Sequence, residues 1–230
     1  MDNRRSFLKK SLAAGSFLGL GFGTAVTAEE FNSRIATLPQ AMGSTVMGLR
    51  VEPIKQVRVG VIGLGMRGQG HVRLQDALFP KAKIVAICDI RESKVNEALA
   101  SLKETNKQKP TTYSGQEDSW KELVERDDLD LVLVITPWLL HAPMAKYAME
   151  QGKHVAVEVP LVTNLEDTWD LINTAEQTRK NCMMLENVCY GDEELWLLNM
   201  AQQGVFGELT YGEAAYNHDL RELFMQDKYY

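Results

Sequence analysis

Hydrophobic positions in this chain come in two periods, and they take turns. Val57-Arg58-Val59-Gly60-Val61-Ile62 reads as a short buried strand, and Met66 to Leu78 as a helix. Lys83 to Cys88 is a second strand and Arg91 to Leu102 a second helix. Asp118 is placed to cap a third helix from Trp120 to Glu125. Leu131-Val132-Leu133-Val134-Ile135 is the clearest strand, because an unbroken Leu and β-branched run fits a sheet covered on both faces. Ala142 to Glu150 is then a helix stopped at Gly152. His154 to Val157 is a strand, Leu165 to Arg179 a helix, Cys182 to Leu185 a strand and Glu193 to Gln202 a helix. Strands alternating with helices specify an α/β fold with a doubly wound parallel sheet. Leu209 to Asn217 reads as the first strand of a further, α+β domain.

The first 56 residues follow neither period. Asn3 to Lys10 is basic and holds Arg4-Arg5-Ser6-Phe7-Leu8-Lys9. Ser11 to Ala28 is apolar but interrupted by four glycines, and Val26-Thr27-Ala28 precedes Glu29-Glu30. This order predicts a cleavable signal peptide of twin-arginine type over residues 1–28, hence export to the periplasm. The alternative, an uncleaved anchor, is disfavoured by the glycines. The twin-arginine route carries folded proteins, which fits a cofactor loaded before export. Residues 29–56 read as a linker broken by Pro39, Gly43, Gly48 and Pro53. The boundaries that follow are 57–190 for a dinucleotide-binding domain and 191–230 for the start of a substrate domain. Only thirteen residues follow Asn217, so the substrate domain is expected to be incomplete.

Composition narrows the classes. The 230 residues are 45% hydrophobic and 24% charged, which excludes a disordered chain. Twenty-five basic against 31 acidic residues give −6; loss of residues 1–28 leaves 21 and 30, net −9. Nucleic acid is therefore not an expected partner, and no stable membrane insertion is expected after cleavage. A homo-oligomer is left open. Three cysteines exclude a disulfide framework; Cys88, Cys182 and Cys189 lack metal-ligand spacing, and Cys88 and Cys182 look like buried strand residues. The four histidines are too scattered in sequence to suggest a metal.

The candidate chemistry begins after the first strand, at Gly63-Leu64-Gly65-Met66-Arg67-Gly68. Gly63 permits a tight turn, Gly65 lets a pyrophosphate approach the backbone, and Gly68 lets the helix pack on the strand. Asp89 ends the second strand 21 residues after Gly68, the place of the acid that binds the adenosine ribose. The cofactor expected is NAD, since the Asp89 carboxylate repels a 2′-phosphate; the nearby Arg91 works against that preference. The alternative for Asp89 is a helix cap. Trp138 and His141 follow the Leu131–Ile135 strand at the edge where ligands bind; alternatively, Trp138 packs in the core and His141 caps a helix. Glu158-Val159-Pro160 follows the His154 strand, where a Pro can hold a cis bond.

Val59-Gly60-Val61-Ile62-Gly63-Leu64-Gly65, Thr136-Pro137-Trp138-Leu139-Leu140-His141 and Glu158-Val159-Pro160 resemble the glucose–fructose oxidoreductase and inositol dehydrogenase superfamily. That resemblance implies a Rossmann domain followed by a sugar-holding mixed sheet. Most such proteins carry Lys where this chain has Val159. With Leu185 to Gly191 and Tyr216 to Arg221 added, the motifs look like glycoside hydrolase family 109, from about Met42 onward. Members of that family are NAD-dependent α-N-acetylgalactosaminidases. The resemblance implies NAD contacts at Met66, Arg67, Asp89, Trp138, His141, Glu158, Val159 and Asn187, and a sugar contact at Tyr216.

A glycosidase of the usual kind needs two facing carboxylates, whereas a Rossmann site offers a hydride acceptor. Oxidising the sugar C3 hydroxyl acidifies the C2 proton; its removal gives an enolate that expels the group at C1; water adds and the hydride returns. Tyr190, at the junction of the expected domains, and His218 are the candidate acid–base residues. Their alternatives are an interface Tyr and a strand-end His bonded to Asp219. Two other functions stay open: a sugar dehydrogenase with net redox output, and a non-catalytic NAD-binding fragment.

Overall fold

The computed structural model describes residues 45–46, 49–105, 107–187, 189–215, 217, 219 and 221. The expected signal peptide, most of the linker, Tyr216 and His218 lie outside the described residues. All described residues belong to one compact unit, Ala41–Tyr230. None of the described helices is long and apolar enough to cross a membrane.

Among the described residues, thirteen elements follow in order. They are β1 (Val57–Ile62), α1 (Met66–Ala77), β2 (Ala82–Cys88), α2 (Glu92–Thr105), β3 (Thr111–Tyr113), α3 (Ser119–Val124) and β4 (Leu131–Val134). A 3₁₀ turn (Trp138–Leu140) then leads into α4 (His141–Glu150), β5 (His154–Glu158), α5 (Leu165–Thr178), β6 (Cys182–Leu185) and α6 (Asp192–Gln202). Six strands form one sheet in the order β3-β2-β1-β4-β5-β6, and every pairing is parallel. The strand order reverses between β1 and β4. Chains leaving those two strands turn to opposite faces and open a crevice at the carboxyl edge.

Alternating side chains serve two cores. Val132 and Val134 of β4 join one cluster with Met144, Ala145, Ala148 and Met149 of α4. Leu133 points the other way and joins Val72 of α1 and Val95 of α2. Gly60 of β1 faces the first cluster, where a Cβ would lie 2.8 Å from Leu123 Cδ2, so α3 sits closer to the sheet than a side chain would permit. Cys88 is buried among these groups, and burial pushes its thiol up to about 12. Cys182 is only half-buried, its thiol raised to about 11 by the same cause.

The structure departs from the sequence expectations in four places. Thr111–Tyr113 forms β3, a strand too short to show a period and formed through pairing with β2. Asp118 occupies the cap position of α3, but its side chain makes no cap hydrogen bond and pairs with Lys121 at 2.8 Å. Cys182 is not the fully buried strand residue expected, because β6 is the last strand of the sheet. The described residues within 209–217 form no strand; a strand requires a partner to take its backbone hydrogen bonds, and none of the described strands pairs with them.

The amino edge of the sheet is closed by charge. Asp130, just before β4, accepts from Arg58 N at 2.8 Å, Arg58 Nε at 3.0 Å and Arg58 Nη2 at 2.7 Å. The Arg58 hydrogen bonds outweigh burial and hold the Asp130 carboxyl below its ordinary range. A lowered carboxyl stabilises the fold fully above the unfolded-state carboxyl range, and that contribution is lost as the pH falls. Asp130→Asn should therefore cost on the order of 1 kcal/mol near neutrality, discounted because Arg58 is partly in water. Denaturant unfolding of both proteins across pH checks this: the gap between them should close on acidification.

Candidate functional site at the carboxyl edge

The turn from β1 to α1 is built by what its glycines lack. Gly63 has φ +90°, and a Cβ there would lie 2.2 Å from the Ile135 carbonyl oxygen at the end of β4. Its N–H donates to Cys88 O at 2.8 Å, tying the turn to β2. At Gly68 a Cβ would lie 2.0 Å from Gly63 O, so α1 rests directly on the turn. Gly65 is different. Its missing Cβ would meet only Arg91 Nη2, at 4.0 Å. Among the described residues the fold places nothing else within 4 Å of that Cβ position, so the space over Gly65 is left for an approaching group.

Gly65 caps α1 without any side-chain hydrogen bond. The first amides of a helix have no intrahelical acceptor and carry partial positive charge. Open space over Gly65 beside uncapped amides is the cradle that a pyrophosphate fits. Gln69 Nε2 holds the turn from behind, donating to Leu64 O at 3.0 Å and Lys94 O at 2.9 Å.

Asp89, at the end of β2, is 8% exposed. Oδ2 accepts from Leu64 N at 2.7 Å and Oδ1 from Arg91 N at 2.9 Å. These amides fix the carboxylate's orientation. Each oxygen can accept a further bond, so Asp89 serves the local turn and keeps capacity for two ribose hydroxyls. The Arg91 Nε–Asp89 Oδ1 distance is 3.6 Å, and the guanidinium leans over the Gly65 turn.

Arg67, Glu158 and Asn187 come together although they are far apart in sequence. Arg67 Nε donates to Glu158 Oε1 at 2.7 Å, and Arg67 Nη2 donates to Asn187 Oδ1. A fourth member, His71, was not singled out from sequence: its Nε2 lies 2.7 Å from the same Glu158 oxygen. The signal was present as spacing, since residues 67 and 71 share a helix face. The Glu158 side chain is 8% exposed. Burial pushes its carboxyl up, but hydrogen bonds from His71 and Arg67, the Arg67 charge and the Val159 amide together hold it below the ordinary range.

The remaining candidates divide. Met66 and Trp138 are exposed at the edge, Trp138 at 63%; the core alternative for Trp138 does not hold. His141 is buried, with Nδ1 2.7 Å from Pro160 O and Nε2 2.7 Å from Thr136 O. Both ring nitrogens face backbone carbonyls, so the ring joins the loops after β4 and β5 and turns neither nitrogen toward the crevice. Val159 is half-buried and precedes a cis peptide to Pro160. Tyr190 is 66% exposed in the turn before α6.

Comparison with known proteins agrees with this geometry. Residues 57–186 match the family model for the oxidoreductase family with an NAD-binding Rossmann fold. Residues 190–230 match the C-terminal domain of glycosyl hydrolase 109. Over 219 residues the chain is 47% identical to glycosyl hydrolase family 109 proteins of Shewanella sp. (strain W3-18-1) and Shewanella putrefaciens. Those alignments cover 95% of this chain and 47% of each relative, so the chain spans about half their length. Among solved structures, the WlbA dehydrogenase of Chromobacterium violaceum, in complex with NADH and UDP-GlcNAcA, is similar at a TM-score of 0.59 and 21% identity, covering 69% of this chain and 44% of that one. The scyllo-inositol dehydrogenase of Lactobacillus casei, with bound NAD(H) and scyllo-inositol, gives 0.59 and 21%, covering 68% and 44%. At these identities the two structures speak for the fold.

The glycines give a paired prediction. Gly68→Ala should lose about 1–3 kcal/mol of stability, because its Cβ meets backbone. Gly65→Ala should unfold like the parent protein and yet lose NAD affinity. Thermal melts and NAD titration calorimetry separate the two. Asp89→Ala should weaken NAD binding by on the order of 1.5–3 kcal/mol and narrow the preference over NADP. With the glycine turn, the buried Asp89 and the family match over residues 57–186 in agreement, the chain belongs to the NAD-binding Rossmann-fold oxidoreductase family, and the curated relatives it resembles at 47% identity carry the glycosyl hydrolase family 109 name.

Proposed function

We propose that the complete protein is an exported glycosidase that hydrolyses α-linked N-acetylgalactosamine with NAD bound throughout. The observation that carries this reading is the 47% identity to glycosyl hydrolase family 109 proteins across 95% of the chain. The carboxyl edge supports it from the chemical side. An acid–base pair of carboxylates needs one member protonated near neutrality. Hydrogen bonds from His71 and Arg67 hold the Glu158 carboxyl below its ordinary range, so it is not set up to give a proton to a leaving group, and both Asp89 oxygens are engaged by backbone amides. Val159 supplies no amine where most proteins of the superfamily this chain resembles carry Lys.

Bound NAD supplies a hydride acceptor that can return what it takes. In this reading the α1 amides and Gly65 bind the pyrophosphate and Asp89 the ribose. Met66, Arg67, Trp138, Val159 and Asn187 line the cofactor, with Glu158 orienting Arg67. His141 contributes by fixing the loops on either side. Tyr190 and His218 exchange the proton at sugar C2, and Tyr216 holds the sugar. A twin-arginine signal over residues 1–28 fits a cofactor that stays bound and is loaded before export.

Hydrolysis of p-nitrophenyl α-N-acetylgalactosaminide by the complete protein in deuterated water tests the reading. Deuterium should appear at C2 of the released sugar, with no net NADH. Release without C2 label, and without a slowed rate for C2-deuterated substrate, points to two-carboxylate chemistry. Steady NADH accumulation on a free sugar points to a dehydrogenase. Tyr190→Phe should lower C2 exchange and hydrolysis together while leaving NAD affinity intact; survival of both activities moves the base to His218.

A further inference from the structure

Two donors from one helix end on one oxygen. Arg67 and His71 stand one turn apart on α1, and both reach Glu158 Oε1, each at 2.7 Å. That oxygen is filled by them. The other, Oε2, has among the described residues only the amide of the next residue, Val159, at 3.2 Å. The His71 side chain is 12% exposed and that of Arg67 is 54% exposed. The largely covered ring therefore works on Glu158, while the guanidinium it helps to hold stands at the open edge beside Asn187.

The direction of these bonds fixes the proton. A carboxylate oxygen can only accept, so His71 Nε2 carries the hydrogen. Without His71, one of the two anchors on Oε1 is gone, and among the described residues the carboxylate is held only by the half-exposed Arg67 and the Val159 amide at 3.2 Å. Arg67 would follow any shift of the carboxylate, because Nε is bound to that same oxygen. Among the described residues, the charged and polar groups bonded to Glu158 are Arg67 and His71 from α1 and the Val159 amide from its own strand end, with Asn187, after β6, reaching it through Arg67.

We propose that His71 is a positioning residue of the cofactor site: it locks Glu158, and through Glu158 holds the Arg67 guanidinium in place for bound NAD. The proposal rests on the reading of this edge as the NAD site. His71 touches neither cofactor nor substrate in this scheme, so its effect passes entirely through the carboxylate.

The test uses the 230-residue protein, NAD titration calorimetry and carbon-13 NMR titration of the Glu158 carboxyl. His71→Leu removes the donor and should weaken NAD binding about tenfold, the scale of one hydrogen bond to a charged group. His71→Gln keeps an N–H donor and should stay within a few-fold of the parent. In the ligand-free protein, the Glu158 carboxyl should titrate at higher pH in His71→Leu than in His71→Gln or the parent, which a purely structural role would not produce. In a Glu158→Ala background the further change His71→Leu should cost nothing more. Unchanged NAD affinity in His71→Leu overturns the proposal, as does an equal loss with and without Glu158. If the parent protein binds no NAD while the Glu158 titration still moves in His71→Leu, the cofactor reading fails and the proposal with it, but the clamp itself stands.

Discussion

Everything at the functional edge depends on backbone meeting backbone at two glycines. Gly63 lets the chain turn against the Ile135 carbonyl, and Gly68 lets α1 rest on Gly63. A methyl group at either place would push α1 away from the sheet. That displacement would move the uncapped amides of α1, the Arg67 and His71 side chains, and the amide of Leu64 that orients Asp89. The parallel sheet sets where the crevice opens; these two contacts set what lines it.

The crevice wall on the β5 side is held by polar groups. Glu158 is the common acceptor there, and it is buried enough that an unpaired charge would be costly. Arg67 and His71 remove that cost from the α1 side, so the carboxylate bonds the first helix to the fifth strand across 91 and 87 residues of sequence. His141 does a parallel task on the opposite strand exit, joining the Thr136 and Pro160 carbonyls. Loops at a ligand edge are usually the mobile part of an α/β domain; here each is tied to a neighbour.

Most of the fold was legible because burial on both faces writes itself into unbroken apolar runs. Leu131–Val134 and Val57–Ile62 are strands as their patterns predict. The glycine spacing and Asp89 located the cofactor turn because each glycine answers a steric demand that no other residue meets. What escaped has a common cause: it is decided by partners distant in sequence. Three residues such as Thr111–Tyr113 carry no period, and they become a strand only beside β2. A strand pattern over 209–217 has no such partner among the described strands. His141 sat at a ligand-facing position by sequence, yet its ring turned to two carbonyls; side-chain direction was not encoded in position. His71 looked like one scattered histidine until α1 set it beside Arg67.

The uneven burial of the three cysteines has a practical consequence for spectroscopy. Thiolate is the reactive form of cysteine, and burial suppresses it. Cys88 and Cys182 have raised thiols, whereas Cys189 is exposed. A maleimide fluorophore should therefore attach at Cys189 in the native sequence without mutagenesis. That residue adjoins Tyr190 and lies two positions from Asn187. The dye would report ligand arrival at the wall formed by Arg67 and Glu158, and residual labelling at the buried Cys88 would measure how often the sheet core opens.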